Sequence, residues 1–337
     1  MDVTFSGDPT TIVAIEDATQ IGHARRMAQQ VATTAGFDAT DAGRVALVTT
    51  ELATNVLKHA RGGEIHIAAV QGEGVLGVEV IAVDRGPGFN LADCLPDGFS
   101  TGGTRGEGLG AVKRQAQVMD MYADQRGSVV LARMYPKGFA TADIRFGATQ
   151  QAIHGETLCG DGWAAALRSD ALSVLVLDGL GHGAAAHVAA SAGIGAFLAM
   201  APDEPVTLMG ELNTAMTGSR GGAVAIATYD VTTKSLRYAG IGNIGGTLNN
   251  LDGSRGLASH PGIVGVQARR AQPFDFPRVA GKLLVMHSDG LQSRWSLRDY
   301  PGLATRHPAV ITALLFRDFT RGRDDVTVFA MTLETRP

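Results

Sequence analysis

Four aspartates in the second half of the chain sit in short glycine-bearing or acidic stretches: Asp161 in CGDGW, Asp178 in LDGLGHG, Asp289 in HSDGL and Asp324 in GRDDVTV. A single Asp-Gly is a common turn. Several aspartates at strand ends can do more, because hard divalent cations such as Mg2+ and Mn2+ take oxygen ligands and keep part of their water. Two such ions activate a bridging water and clamp the oxygens of an in-line phosphoryl displacement. That is phosphatase chemistry.

The first half carries a different set. In ELATNVLKHA (51–60), Glu51 and Asn55 are four residues apart and project from one side of a helix. Alone, the pair reads as a solvated carboxylate beside a helix-compatible amide. Downstream, DRGPGF (84–89) places Asp84 at a strand end before Gly86 and Gly88. GTRGEGLG (103–110) then places Gly106, Gly108 and Gly110 directly before a helix, where backbone amides can approach a phosphate. A lone glycine-rich loop is also a flexible turn. The three motifs together, in this order, favour the rim of a nucleotide pocket. Lys58 and His59, at the end of the helix, stay open in role, as does His182, which reads equally as a substrate contact or a turn histidine.

The elements that position these residues follow from periodicity. Val45, Val48, Leu52 and Val56 recur at spacings of three and four, one face of a helix. EIHIAAV (64–70) and VLGVEVIAV (75–83) predict a hairpin after it. A second helix is predicted from Leu109 to near Asp120, then a strand in GSVVLARMY (127–135), with PKG (136–138) as a break. Beyond it, SVLVLDG (173–179), AVAIATYD (223–230) and KLLVMHSDG (282–290) read as buried strands ending in acids, and the apolar run 188–201 as a buried helix.

Composition sets limits. The 337 residues suggest about two domains, and 45% hydrophobic against 18% charged residues lets both bury a core. A net charge of -4 without long basic runs argues against nucleic acid as a partner. Two cysteines, Cys94 and Cys159, form no disulfide framework and fit a reducing compartment. No leader and no membrane span is evident, so the expected location is cytoplasmic, with no membrane partner.

The order ExxxN helix, DxGxG, GxGxG before a helix resembles the GHKL ATPase superfamily, and within it the anti-sigma type serine kinases of the RsbT kind, over about residues 10–136. The resemblance implies a GHKL (Bergerat) α/β sandwich. In it Asp84 accepts from the adenine amino group, Asn55 holds Mg2+, and Gly86, Gly88, Gly106, Gly108, Leu109 and Gly110 line ATP. Glu51 is the general base on the acceptor hydroxyl, and residues 90–105 form a lid. Ser128 stands where relatives often carry Thr.

The aspartate set, with YAGIGNIGGTL and LLVMHSDGLQSRW, resembles the PPM-type phosphatases of the SpoIIE and RsbX branch over about residues 143–334. The resemblance implies an α-β-β-α sandwich holding two Mn2+ or Mg2+ through Asp161, Asp178, the Gly179 carbonyl, Asp289 and Asp324, with Asp325 behind them. The phosphate-binding Arg of eukaryotic relatives has no matching motif, so substrate binding is unassigned.

The expected architecture is therefore mixed α/β, with a kinase-like domain at 10–138 and a phosphatase domain at 141–335, each folding and acting alone. The expected activity is ATP-dependent phosphorylation and metal-dependent dephosphorylation of a STAS-domain partner, an anti-anti-sigma or stressosome-like protein. The rival is an ATP-dependent anti-sigma or partner-switching module without kinase activity, fused to the phosphatase. A sensor histidine kinase would need a phospho-accepting helical pair, and a gyrase-like ATPase a DNA-binding region; neither is evident. Oligomeric state is left open.

Overall fold

A computed structural model describes residues 2–89, 108–139, 143–201, 203–251, 253–267 and 271–334. The chain divides into two units, each drawn from more than one stretch of sequence. One comprises Met1–Pro9, Arg145–Ala304 and Asp318–Pro337; the other comprises Thr10–Ile144 and Thr305–Arg317. These differ from the expected segments 10–138 and 141–335 in two places. The first strand, β1 (Val3–Ser6), pairs with β8 (Asp161–Leu167) in the aspartate-bearing unit. Residues 305–317, from far down the chain, belong to the ATP-type unit. A cut at 139/140 would leave each fragment without a piece of its own unit.

In the unit of Thr10–Ile144, β2 (Thr11–Ile15), β3 (Gly63–Gly72), β4 (Val75–Asp84), β5 (Val118–Asp124) and β6 (Gly127–Met134) form an antiparallel sheet in the order β2-β3-β4-β6-β5. Helices α1 (Ala18–Thr34), α2 (Ala39–Asn55) and α3 (Gly108–Gln115) build the core with it. The predicted stripe is buried: Val45, Val48, Leu52 and Val56 join Ile65, Ile67 and Val80 in that core. Asp17 caps α1 in a reciprocal pair with Gln20, and Asp38 caps α2, so both helix starts are specified locally. The predicted helix to Asp120 stops earlier, at Gln115. Val118 begins a strand instead, because Val118–Asp124 pairs along β6 through a tight turn, and that ladder outweighs the helical spacing.

The unit also holds a buried polar network that links its two stretches of sequence. Arg133, fully buried on β6, donates to Glu79 at 2.6 Å and to Asp143 at 2.9 Å; Asp143 in turn meets the Tyr135 hydroxyl at 3.0 Å and His307 Nε2 at 2.8 Å. Burial raises the Glu79 carboxyl despite Arg133 beside it.

In the aspartate-bearing unit, β1, β8, β9 (Ala171–Gly179), β10 (Gly222–Asp230), β11 (Ser235–Ile241) and β14 (Phe274–Phe276) form one sheet. The second contains β13 (Gly253–Gly256), β12 (Gly245–Asn250), β15 (Leu283–His287), β16 (Val326–Thr332) and β7 (Phe146–Gln151), in that order. The sheets meet through aromatic rings. Phe5 and Trp163 of the first lie 5.3 Å from Phe146 and Phe329 of the second, respectively. Helices α4 (Ala184–Met200) and α5 (Pro205–Ala215) share a core with the first sheet. The apolar run expected as a buried helix is only half buried: Ala189, Ala190 and Phe197 face inward, while Val188 is 60% exposed. Helix α6 (Pro308–Phe319), which belongs to the ATP-type unit up to Arg317, has every residue from Pro308 to Arg317 buried. No helix among the described residues is long and apolar enough to cross a membrane.

Candidate functional site

The ATP-type unit brings three of its motif residues together. A Cβ on Gly108, the first residue of α3, would stand 3.1 Å from Glu51 Oε2 and 3.4 Å from Asn55 Oδ1. The start of α3, where unpaired amides gather, therefore lies against the acid and the amide of α2. Directly after Asn55 the helix widens into a π-turn over Val56–Ala60, a form common at functional sites. Lys58 and His59 are exposed on it. Leu109 packs against the core and Gly110 continues α3. Gly106 and the expected lid, 90–105, lie outside the described residues.

Asp84 ends β4 with its side chain buried. Its Oδ1 accepts from the Gly86 amide at 2.7 Å and the Ser128 amide at 3.3 Å, and the Ser128 hydroxyl donates to Oδ2. These donors fix the carboxylate's direction. Gly127, next to Ser128, has φ +135°, and a Cβ there would come 2.0 Å from the Asp84 carbonyl oxygen, so only glycine fits. Gly88, also at positive φ, lies beside the Asp124 backbone.

In the other unit, Asp161 opens β8 and Asp178 stands directly opposite it near the end of β9. Like charges facing across a ladder repel. Burial, then the neighbouring Asp178, pushes the Asp161 carboxyl well above its ordinary range; burial, then Asp289 and Asp324, pushes Asp178 up to about 7. Asp289 is raised by burial and by Asp324, partly offset by Arg321 and by the Asn243 amide. Asn243 Nδ2 donates to Asp289 Oδ2 at 2.7 Å. Asp325 accepts from the Ile153 amide at 2.7 Å and the Gly160 amide at 2.6 Å, tethering the stretch before Asp161. Its own amide donates to Asp324 Oδ1 at 2.9 Å. Gly179 donates its amide to the Gly160 carbonyl at 2.9 Å.

Among the described residues no three acids, histidines or cysteines are placed to hold a metal ion as they stand. The donor set nonetheless fits a hard cation. Asp161 Oδ2 is buried with no hydrogen-bond partner, and the carboxylates suppress one another's ionisation. A divalent ion with its own waters would give that oxygen a partner and offset the repulsion. His182 pairs with Glu156 at 3.1 Å on the exposed rim. The exposed Arg220 lies beside the same loop, since a Cβ on Gly181 would be 3.0 Å from its Nη1, and Leu180 donates to the Gly221 carbonyl. Sequence reasoning singled out neither Asn243 nor Arg220, whose contacts with Asp289 and with the Gly181 loop join residues far apart in the chain. Cys159 is buried, and burial pushes its thiol well above the ordinary range, in keeping with a packed side chain.

Residues 15–134 match the model of the histidine kinase-like ATPase domain, and residues 168–334 match that of stage II sporulation protein E (SpoIIE). The serine/threonine-protein kinase RsbT of Bacillus subtilis (strain 168) is 40% identical over 92 residues, which cover 27% of this chain and 69% of the relative. The chain belongs to the RsbT family. Among solved structures, one described under "The bacterial stressosome: a modular system that has been adapted to control secondary messenger signaling" is similar with a TM-score of 0.52 at 24% identity, over 55% of this chain and 97% of that one. RsbX in complex with magnesium is similar with a TM-score of 0.49 at 22% identity, over 54% of this chain and 92% of that one. The chain thus joins an RsbT-like domain of the histidine kinase-like ATPase type to a SpoIIE-type domain.

Proposed function

We propose that this RsbT-family chain sets the phosphorylation state of one serine on a cytoplasmic STAS-domain partner, adding phosphate with its ATP-type unit and removing it with its aspartate-bearing unit. The observation that carries this reading is the placement of Glu51 and Asn55 against Gly108, in the same chain as a buried aspartate cluster.

In the kinase unit, Asp84 would accept from the adenine amino group and Asn55 would hold Mg2+. Gly86, Gly88, Gly108, Leu109 and Gly110 would line the nucleotide. Glu51 would take the proton of the acceptor serine as the serine oxygen attacks the γ-phosphorus and the bond to the β-phosphate breaks, releasing ADP. In the phosphatase unit, Asp161, Asp178, the Gly179 carbonyl, Asp289 and Asp324 would hold two Mn2+ or Mg2+, which when bound would supply a nucleophilic water at neutral pH and charge stabilisation of the phosphoryl group. Asn243 orients Asp289, and Arg220 grips the phosphoryl oxygens at the rim.

The test is incubation of the whole chain with STAS proteins and labelled ATP, followed by Mn2+. Label that enters a serine and then leaves supports the reading. A chain that binds ATP but labels no STAS protein would be an ATP-dependent gripping module fused to a phosphatase.

A further inference from the structure

Helix α6 comes from the distal part of the sequence, yet its last residue within the ATP-type unit reaches the end of β4. Arg317 is 7% exposed, and its Nη1 donates to the Asp84 carbonyl oxygen at 3.0 Å. In return, the Arg85 guanidinium donates to the Arg317 carbonyl. The preceding Phe316 packs edge-on against His66 of β3, with centroids 5.5 Å apart.

The β4–β6 ladder explains why Asp84 needs this donor. Its register runs from Val78–Met134 to Val83–Val129 and stops there, one residue short of Asp84. The Asp84 carbonyl therefore projects past the ladder toward Gly127, where the lack of a side chain leaves room for Arg317: a Cβ on Gly127 would lie 2.7 Å from Arg317 Nη1. A buried carbonyl without a donor is costly, and a strand end without its last hydrogen bond shifts. The Asp84 carboxylate, held from the other side by Gly86 and Ser128, would shift with it.

We propose that Arg317 is a positioning residue of the nucleotide site: it fixes the strand end from which Asp84 reads the exocyclic amino group of an adenine nucleotide. The inference rests on the assignment of Asp84 to adenine. It makes the kinase-like unit dependent on a helix encoded more than two hundred residues away. Residues 10–138 alone would then contain every nucleotide motif and still lack one determinant of base selection.

The test compares ATP with inosine triphosphate, which lacks the amino group, by calorimetry with Mg2+ on the full chain. Wild type should prefer ATP. Arg317→Met should lose ATP affinity by about tenfold, the scale of one charge-assisted hydrogen bond, while inosine triphosphate binding stays within about twofold. Arg317→Lys should recover part of the preference, and it carries the test if Arg317→Met does not fold. An unchanged ATP preference in both variants, or equal loss of both nucleotides, would overturn the positioning role and leave the Asp84 assignment standing. A wild-type chain that binds both nucleotides equally would sink both.

Discussion

His307 Nε2 lies 2.8 Å from Asp143 Oδ2, and the other oxygen of that carboxylate accepts from Arg133 at 2.9 Å. Burial opposes the charge on Asp143, but the hydrogen bond from His307 and the charge of Arg133 outweigh it and hold the carboxyl well below its ordinary value of 3.8. A carboxylate depressed on folding contributes stability that is present above its unfolded pKa and lost as pH falls through the folded one. Asp143→Asn should therefore cost about 3 kcal/mol at neutral pH, as expected for breaking a buried ion pair, and blunt the loss of stability on acidification below about pH 4. Urea unfolding across pH reads both. A fragment ending at residue 139 lacks Asp143 and His307 and takes the Asp143 ion pair away from buried Arg133, so it should melt well below the same unit in the full chain.

The aspartate cluster predicts the opposite slope. Asp178 is raised on folding from 3.8 to about 7, first by burial and then by Asp289 and Asp324, so the folded chain holds more protons than the unfolded one between those values. Without divalent ions, this group's contribution to stability is full below about pH 4 and is lost as pH rises through about 7. Added Mn2+ should restore the melting temperature at the upper end, and Asp178→Asn should flatten both the slope and the Mn2+ response. A metal-free chain whose stability does not fall over this range would contradict the clustering of these carboxylates.

Beside the Gly181 loop, Arg220→Ala should raise KM for a phosphoserine peptide about tenfold with a smaller effect on kcat, because on the proposed reading it would remove a grip on the phosphoryl oxygens and no metal ligand. Asn243→Ala should act differently. It frees Asp289, whose carboxyl then rises further, and the Mn2+ concentration needed for activity should increase. Steady-state kinetics at several Mn2+ concentrations separates the two.

In the ATP-type unit, Asn55→Ala should abolish Mg-ATP binding, whereas Glu51→Ala should leave it largely intact and remove phosphoryl transfer, since on the proposed assignment one residue would hold the metal and the other would only accept a proton. Calorimetry paired with a labelling assay checks this. Unchanged transfer in Glu51→Ala would sink the base assignment.

Much of this was legible in the sequence where the information is local. Glu51 and Asn55 announce themselves by helical spacing, Asp84 by its place before two glycines, and the aspartates by strand-end context. What stayed hidden is long-range. Nothing near Arg317 points to Asp84, because the reason for its contact is the register at which β4 and β6 part. Likewise nothing in Val3–Ser6 marks β1 as part of the aspartate-bearing unit, where Phe5 enters the ring cluster with Phe146 and Trp163. The helix expected to run to Asp120 failed for the same reason. Its helical spacing continued past Gln115, but the pairing of Val118–Asp124 with β6 decided the outcome.

The central claim is that both units act on one serine, so that the intact chain sets a steady state. Mass spectrometry of a STAS partner incubated with ATP, Mg2+ and Mn2+ and each of three chains tests it most directly. Wild type should give an intermediate level of phosphoserine, Asp178→Asn should drive the same residue toward full phosphorylation, and Glu51→Ala should leave it unmodified. Phosphate accumulating on one residue with Asp178→Asn while wild type clears a different residue or protein would contradict the account.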